Sequence, residues 1–205
     1  MDFLFDGPED APRIVLAHGA GAPMDSAPMT AMAKGLAAEG LRVARFEFPY
    51  MRGRRTEGRQ RPPDREPVLL DTWRAVIAEL GGAGPLVIGG KSMGGRMASK
   101  IADEAGARGL VCLGYPFHPP GKPERTRTDH LEHLRTPTLI VQGTRDAFGT
   151  PDDVAGYTLS PAIRLVWLED GDHSFKPRAA SGRTERQNLQ EAVAAVAELV
   201  KSLAA

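Results

Sequence analysis

A single cysteine, Cys112, is all the chain contains, so no internal disulfide can staple it and the fold must be held by its core alone. That is compatible with a reducing compartment. Excess charge is missing too: 26 Lys and Arg balance 26 Asp and Glu. A chain without net charge has no long-range pull toward nucleic acid or an anionic membrane surface. No uninterrupted apolar run approaches the roughly 18 residues that a membrane span needs. The start, Met1 to Asp6, lacks the basic residues and apolar stretch of a signal peptide. No His-Glu-x-x-His or comparable spacing marks a metal site. Repeats, low-complexity tracts and linkers are absent as well. These absences predict a cytoplasmic protein with neither metal nor cofactor, and one domain spanning all 205 residues. That length can bury a proper core.

What is present is alternation. Short apolar runs recur at Arg13–Ala17, Leu41–Phe46, Pro85–Gly90, Gly109–Leu113, Thr138–Val141 and Ile163–Leu168, nearly all ending at glycine or a turn. Runs so short, rich in Val and Ile and apolar throughout, suit strands buried on both faces of a parallel sheet. Between them lie segments of helical period. Met29, Met32 and Leu36 lead to a terminating Gly40. Leu69, Trp73, Val76, Ile77 and Leu80 form one stripe between Val68 and Leu80. Met97 and Ile101 mark a helix stopping at Gly106, and Thr150-Pro151-Asp152-Asp153 has the pattern of a capping box with proline at the first helical position. Leu189, Val193, Val196, Val200 and Leu203 make the clearest stripe, from about Thr184 to the end. Strands alternating with helices predict an α/β fold: a mostly parallel central sheet with helices on both faces. In such folds, sites form at the carboxyl ends of the strands.

Gly90-Lys91-Ser92-Met93-Gly94 sits at one of those ends. It matches G-x-S-x-G, a weak signal alone but a strong one between an apolar strand and an amphipathic helix. The turn is so tight that the serine is strained and its flanking positions have no room for side chains. Its hydroxyl is then held out of the sheet, in front of the N–H groups that open the next helix. A phosphate-binding loop would need a different spacing, with Lys directly followed by Ser or Thr after G-x-x-x-x-G.

On this elbow and its setting the chain resembles the α/β-hydrolase superfamily, along essentially its whole length. The resemblance implies a triad in the order Ser, Asp or Glu, His. Asp146, just past the strand ending at Gly143, and His173, just past the next strand, stand in matching contexts. Ser92 would be nucleophile, His173 base and Asp146 its orienter. Asp146 could instead cap a turn, and Asp170 and Asp172 are nearer His173 in sequence; adjacency along a loop rarely permits the needed hydrogen bond, so they rank behind Asp146. By the same resemblance His18-Gly19-Ala20-Gly21 supplies half an oxyanion hole through the Ala20 N–H, and the Met93 N–H supplies the other half. His18 itself is expected to brace its loop. His118 follows a strand and is a candidate substrate contact.

The stretch from Tyr115 to Pro137 is too short for an independent lid domain. The start at the first central strand suggests that a leading antiparallel hairpin is absent or trimmed. The chain is therefore most similar to small lidless hydrolases of the dienelactone-hydrolase-like type, within the KANL and testis-expressed branch. Dienelactone hydrolase uses cysteine as nucleophile; Ser92 departs from that. The run Met51 to Arg61 carries five arginines and is expected near the site mouth, where Arg52, Arg54 and Arg55 would attract an anionic substrate, unless the segment is simply a solvated loop. The expected activity is carboxylic-ester hydrolysis of a small-molecule substrate through an acyl-enzyme, with no nucleic-acid or membrane partner. A hydrolase fold used as a binding or scaffolding module is the alternative, as is the same triad serving a thioesterase, peptidase or acyltransferase.

Overall fold

The computed structural model describes residues 1–204. Its seven strands form one sheet in the order β1-β3-β2-β4-β5-β6-β7. The strands are β1 (Phe3–Asp6), β2 (Arg13–Ala17), β3 (Arg42–Phe46), β4 (Leu86–Lys91), β5 (Gly109–Leu113), β6 (Thr138–Gly143) and β7 (Ile163–Leu168). All neighbouring pairs run parallel except β1 with β3. The helices are α1 (Ala27–Ala38), α2 (Pro49–Glu57), α3 (Glu66–Glu79), α4 (Met93–Ala105), α5 (Pro151–Ala155) and α6 (Glu185–Ala204).

The continuous apolar runs become strands because both faces of the sheet are covered. Ile14 to Ala17 are fully buried, yet their side chains alternate between two cores. Val15 and Ala17 join Trp73, Val76 and Ile77 of α3 and Met97 and Ala98 of α4 on one face. Ile14 and Leu16 meet Met29, Met32 and Leu36 of α1 and Ala192, Val196 and Val200 of α6 on the other. Burying each of these large side chains is worth roughly 1.5–3 kcal/mol before entropy is counted. α5 begins as its sequence predicts: the Thr150 hydroxyl accepts from the Asp153 N–H while the Asp153 carboxylate accepts from the Thr150 N–H. No helix among the described residues is long and apolar enough to cross a membrane.

Three local features differ from the sequence expectations or refine them. A single antiparallel strand, β1, survives where a hairpin was expected to be absent or trimmed; only four residues long and mostly half-buried, it carries little period-two signal. Proline at its first turn and Gly58 in a left-handed conformation delimit α2, so the arginine-rich run is half helix rather than loop. The stretch after β5 holds only a short 3-10 turn, Asp129–Glu132, and no lid.

The strand order places the site. After β2 the chain adds β3 on one side, then crosses back to lay β4 on the other. The connections therefore diverge above the carboxyl ends of β2 and β4, leaving a crevice there. Both of those ends carry one of the predicted motifs.

Candidate active site

Ser92 follows the last residue of β4 and adopts φ 50° and ψ −115°, a conformation that costs a non-glycine residue on the order of 1–3 kcal/mol. Its neighbours over-determine it. The Ser92 N–H donates to Leu113 O of β5 at 2.9 Å, and Ser92 O accepts from the Arg96 N–H at 3.0 Å to start α4. A Cβ at Gly90 would lie 2.4 Å from Ala17 O, and one at Gly94 2.6 Å from His18 O. Only glycine lets β2 and α4 approach this closely, so both flanking positions of the motif are sterically explained.

Asp146 and His173 lie in the loops that follow the adjacent strands β6 and β7, and the two side chains meet. The imidazole Nδ1 donates to Asp146 Oδ2 at 2.7 Å. Asp146 is fully buried, the condition under which an unpaired carboxylate is costly. It accepts two further bonds, from the Gln142 amide at 3.0 Å and the Phe148 N–H at 2.9 Å. Gln142 is itself locked, accepting from the Tyr115 N–H and donating to Tyr115 O and Gly149 O. The Phe148 ring lies against the imidazole with centroids 4.3 Å apart. With Nδ1 committed to the carboxylate, Nε2 is the ring nitrogen left for chemistry.

The alternative carboxylates are engaged elsewhere. Asp172 accepts from the Ser174 and Lys176 N–H groups and so shapes the histidine loop. Asp170 pairs with Arg178 and Arg145. The Arg178 hydrogen bond dominates and holds the Asp170 carboxyl down to about 2.

Ser92 and His173 line one cavity of about 410 Å³, with Gly19, Ala20 and Gly21 from the loop after β2. Pro28, Met29, Ala31 and Met32 of α1, Phe175 and Leu189 make most of the remaining wall apolar. The Ser92 hydroxyl makes no hydrogen bond within the described residues.

The loop after β2 is held from behind. His18 is fully buried; its Nδ1 donates to Gly19 O at 2.7 Å, and its Nε2 accepts from the Phe48 N–H at 3.1 Å. Burial lowers its basicity, which favours the neutral tautomer these two bonds require. The Tyr50 hydroxyl, its acidity suppressed by burial, donates to Gly19 O and Ala20 O. A trans peptide aims its C=O and the following N–H in opposite directions. Pulling Gly19 O toward His18 and Tyr50 therefore turns the Ala20 N–H the other way, and that amide has no hydrogen-bond partner among the described residues. Met93 opens α4, so its N–H has no carbonyl one turn earlier to bond.

Four expected substrate contacts fall outside this cavity. His118 is buried, bonded to Pro119 O and 3.4 Å from the Asp153 carboxylate. Arg54 stacks on the Tyr50 ring and donates to Arg61 O and Ala20 O. Arg52 is half-buried on α2 and off the cavity wall. Arg55 is committed to Glu47 and Asp25. Winding this segment into a helix turned Arg54 and Arg55 onto neighbouring backbone and carboxylates.

A family model described as an alpha/beta hydrolase domain matches residues 10–201. The chain belongs to that family. Among solved structures, this hydrolase resembles an α/β serine hydrolase without a lid from Xanthomonas campestris, 22% identical, with a TM-score of 0.66 over 95% of this chain and 88% of that one. It also resembles Est1E from Butyrivibrio proteoclasticus with ferulic acid bound, 17% identical, TM-score 0.72, covering 98% and 94% of the two chains. A thioesterase domain from the curacin biosynthetic pathway is 17% identical, with a TM-score of 0.65 over 97% and 93%. At these identities the likeness is one of fold.

Four further residues shape the site without belonging to the triad or the oxyanion loop. Gln142 carries a legible signal, a polar side chain closing the apolar run of β6. Tyr50 and Phe148 lie outside any motif and announce nothing. Lys91 sits inside the elbow motif, at a position the motif leaves free.

Proposed function

We propose that this hydrolase cleaves small carboxylic esters through an acyl-enzyme, with Ser92 as nucleophile, His173 as general base and Asp146 as the group that orients it. One observation carries the proposal: the imidazole is bonded through Nδ1 to a fully buried carboxylate, beside a strained serine in the same cavity. His173 Nε2 takes the hydroxyl proton as Ser92 Oγ attacks the ester carbonyl. The oxyanion that forms is met by the N–H groups of Ala20 and Met93; losing one such donor typically costs about 3 kcal/mol in the transition state. Collapse expels the alcohol, which leaves with the proton from His173. Water then attacks the acyl-serine by the same route and releases the acid. The apolar wall offered by α1, Phe175 and Leu189 suits an uncharged acyl chain.

The same machinery would serve a thioester, and the similarity to a thioesterase domain makes that the second substrate class to try. A binding module without catalysis would have no use for strain at Ser92 or for a buried carboxylate behind a histidine.

A fluorophosphonate probe should label the wild-type protein at Ser92 and leave Ser92→Ala unlabelled. Paired p-nitrophenyl esters and acyl thioesters of rising chain length then rank the substrates. Absence of labelling in correctly folded wild-type protein would overturn the assignment.

A further inference from the structure

Lys91 stands immediately before the nucleophile, where the motif asks for nothing in particular. Its side chain leaves the end of β4, crosses the carboxyl end of β5 and reaches the histidine loop. There the ammonium donates to the backbone carbonyl of His173 at 2.5 Å. Nζ also lies 5.5 Å from the centre of the Phe175 ring, on the loop's far side. The passage is cleared for it: Gly114 is in a left-handed conformation, and a Cβ there would lie 2.5 Å from Nζ and 3.3 Å from His173 Nδ1. One missing side chain thus leaves room for both the ammonium and the catalytic imidazole.

The His173 carbonyl is the only acceptor this ammonium has among the described residues. Asp146 and Asp172 face it at longer range and favour its charge, while burial opposes it and is the larger effect, bringing its pKa down to about 8. The group is therefore still a cation across the acidic range in which a histidine base loses activity. The charges around the imidazole are Asp146 in direct contact, Lys91 behind the backbone, Asp172 on the same loop and Glu185 on the cavity wall.

We propose that Lys91 is a positioning residue for the base: it ties the His173 backbone to the strand end that carries Ser92, and its positive charge disfavours protonation of the ring. Asp146 acts in the opposite sense by stabilising imidazolium. A base needs both influences, enough stabilisation to accept a proton in the transition state and enough opposition to be unprotonated beforehand. The assignment rests on the triad proposed above only where activity is read. The electrostatic half is independent of it.

Two variants separate tether from charge. Lys91→Met keeps the length and apolar stem but removes donor and charge; Lys91→Gln removes the charge and keeps a donor. Proton NMR titration of the histidine rings, with His173 assigned by loss of its signal in His173→Gln, reads the charge directly. The ring in both Lys91 variants should titrate about half a pH unit or more above wild type, since a nearby cation has gone. With p-nitrophenyl butyrate the acidic limb of kcat/KM should move to higher pH in both. kcat at the optimum should fall about tenfold in Lys91→Met and less in Lys91→Gln, with KM changed less than about twofold, as for a group acting through its neighbour. A His173 titration unchanged from wild type in either folded variant would overturn the proposal, as would a defect confined to KM. If Lys91→Met does not fold, Lys91→Gln carries both readouts. Should His173 shift while even the wild type fails to label at Ser92, the serine assignment falls and the hold of Lys91 on the ring stands.

Discussion

The two flanks of Ser92 are built from different materials. Toward β5, β6 and β7 the site is held by charge: a buried carboxylate on the imidazole, an ammonium on its backbone, and the Asp170 pair with Arg178 and Arg145 behind the loop. Toward β2 and α2 it is held by neutral groups, the His18 imidazole and Tyr50 hydroxyl, acting on peptide carbonyls. In the proposed mechanism the first flank changes its protonation, while the second only has to present an amide in a fixed direction. Charged supports respond to pH and neutral ones do not, so the flanks should separate in their pH behaviour as well as in the size of their effects.

The largest effect belongs to the charged flank. Asp146→Asn would present an amide to Nδ1, favour the wrong tautomer and lower kcat by about 10⁴-fold, measured on a p-nitrophenyl ester. Next comes His18→Leu, which leaves Gly19 O to Tyr50 alone and strands the Phe48 N–H. We expect kcat to fall about 10²-fold through the misdirected Ala20 amide and stability to fall by about 1–3 kcal/mol from the buried unpaired donor, read by urea denaturation. Its pH profile should match wild type; a displaced acidic limb would break the comparison between flanks. Tyr50→Phe leaves His18 in place and removes one donor, so a decrease in kcat of about fivefold is expected, again at constant pH profile.

The smallest catalytic effect is expected from Asp170→Asn, which retains a residue tolerant of the left-handed backbone at that position. Its consequence lies in stability. The folded-state carboxyl is held below its ordinary 3.8, at about 2, chiefly by Arg178. A depressed carboxyl stabilises the fold above its unfolded pKa and loses that contribution as pH falls through the folded one. The Tm of Asp170→Asn should therefore lie below wild type at pH 7, and the gap should close between about pH 4 and pH 2. A gap independent of pH would assign the stabilisation to shape rather than charge.

Much of this was legible from residues alone. Six of the seven strands announced themselves as short apolar runs, because a strand covered on both faces needs no alternation and leaves a continuous stretch of Val, Ile and Leu. Ser92 was legible because steric crowding at a tight elbow demands glycine at fixed offsets. Asp146 and His173 became candidates only through the resemblance to the α/β-hydrolase order of Ser, Asp and His, as residues just past two successive strands. β1 was not legible: four residues, mostly half-buried, give no period to read. Nor was the fate of Arg52, Arg54 and Arg55, since sequence shows their charge but not that a helical turn would spend Arg54 and Arg55 on Arg61 O, Glu47 and Asp25.

The sequence by itself determined the alternating architecture and the steric signature of the elbow, because periodicity and glycine placement are local consequences of backbone geometry. Only the tertiary structure decided which of three nearby carboxylates meets His173, which way the Ala20 amide faces and where the Lys91 ammonium ends. Those outcomes depend on distances between strands that are neighbours in the sheet but remote along the chain, and no local pattern encodes them.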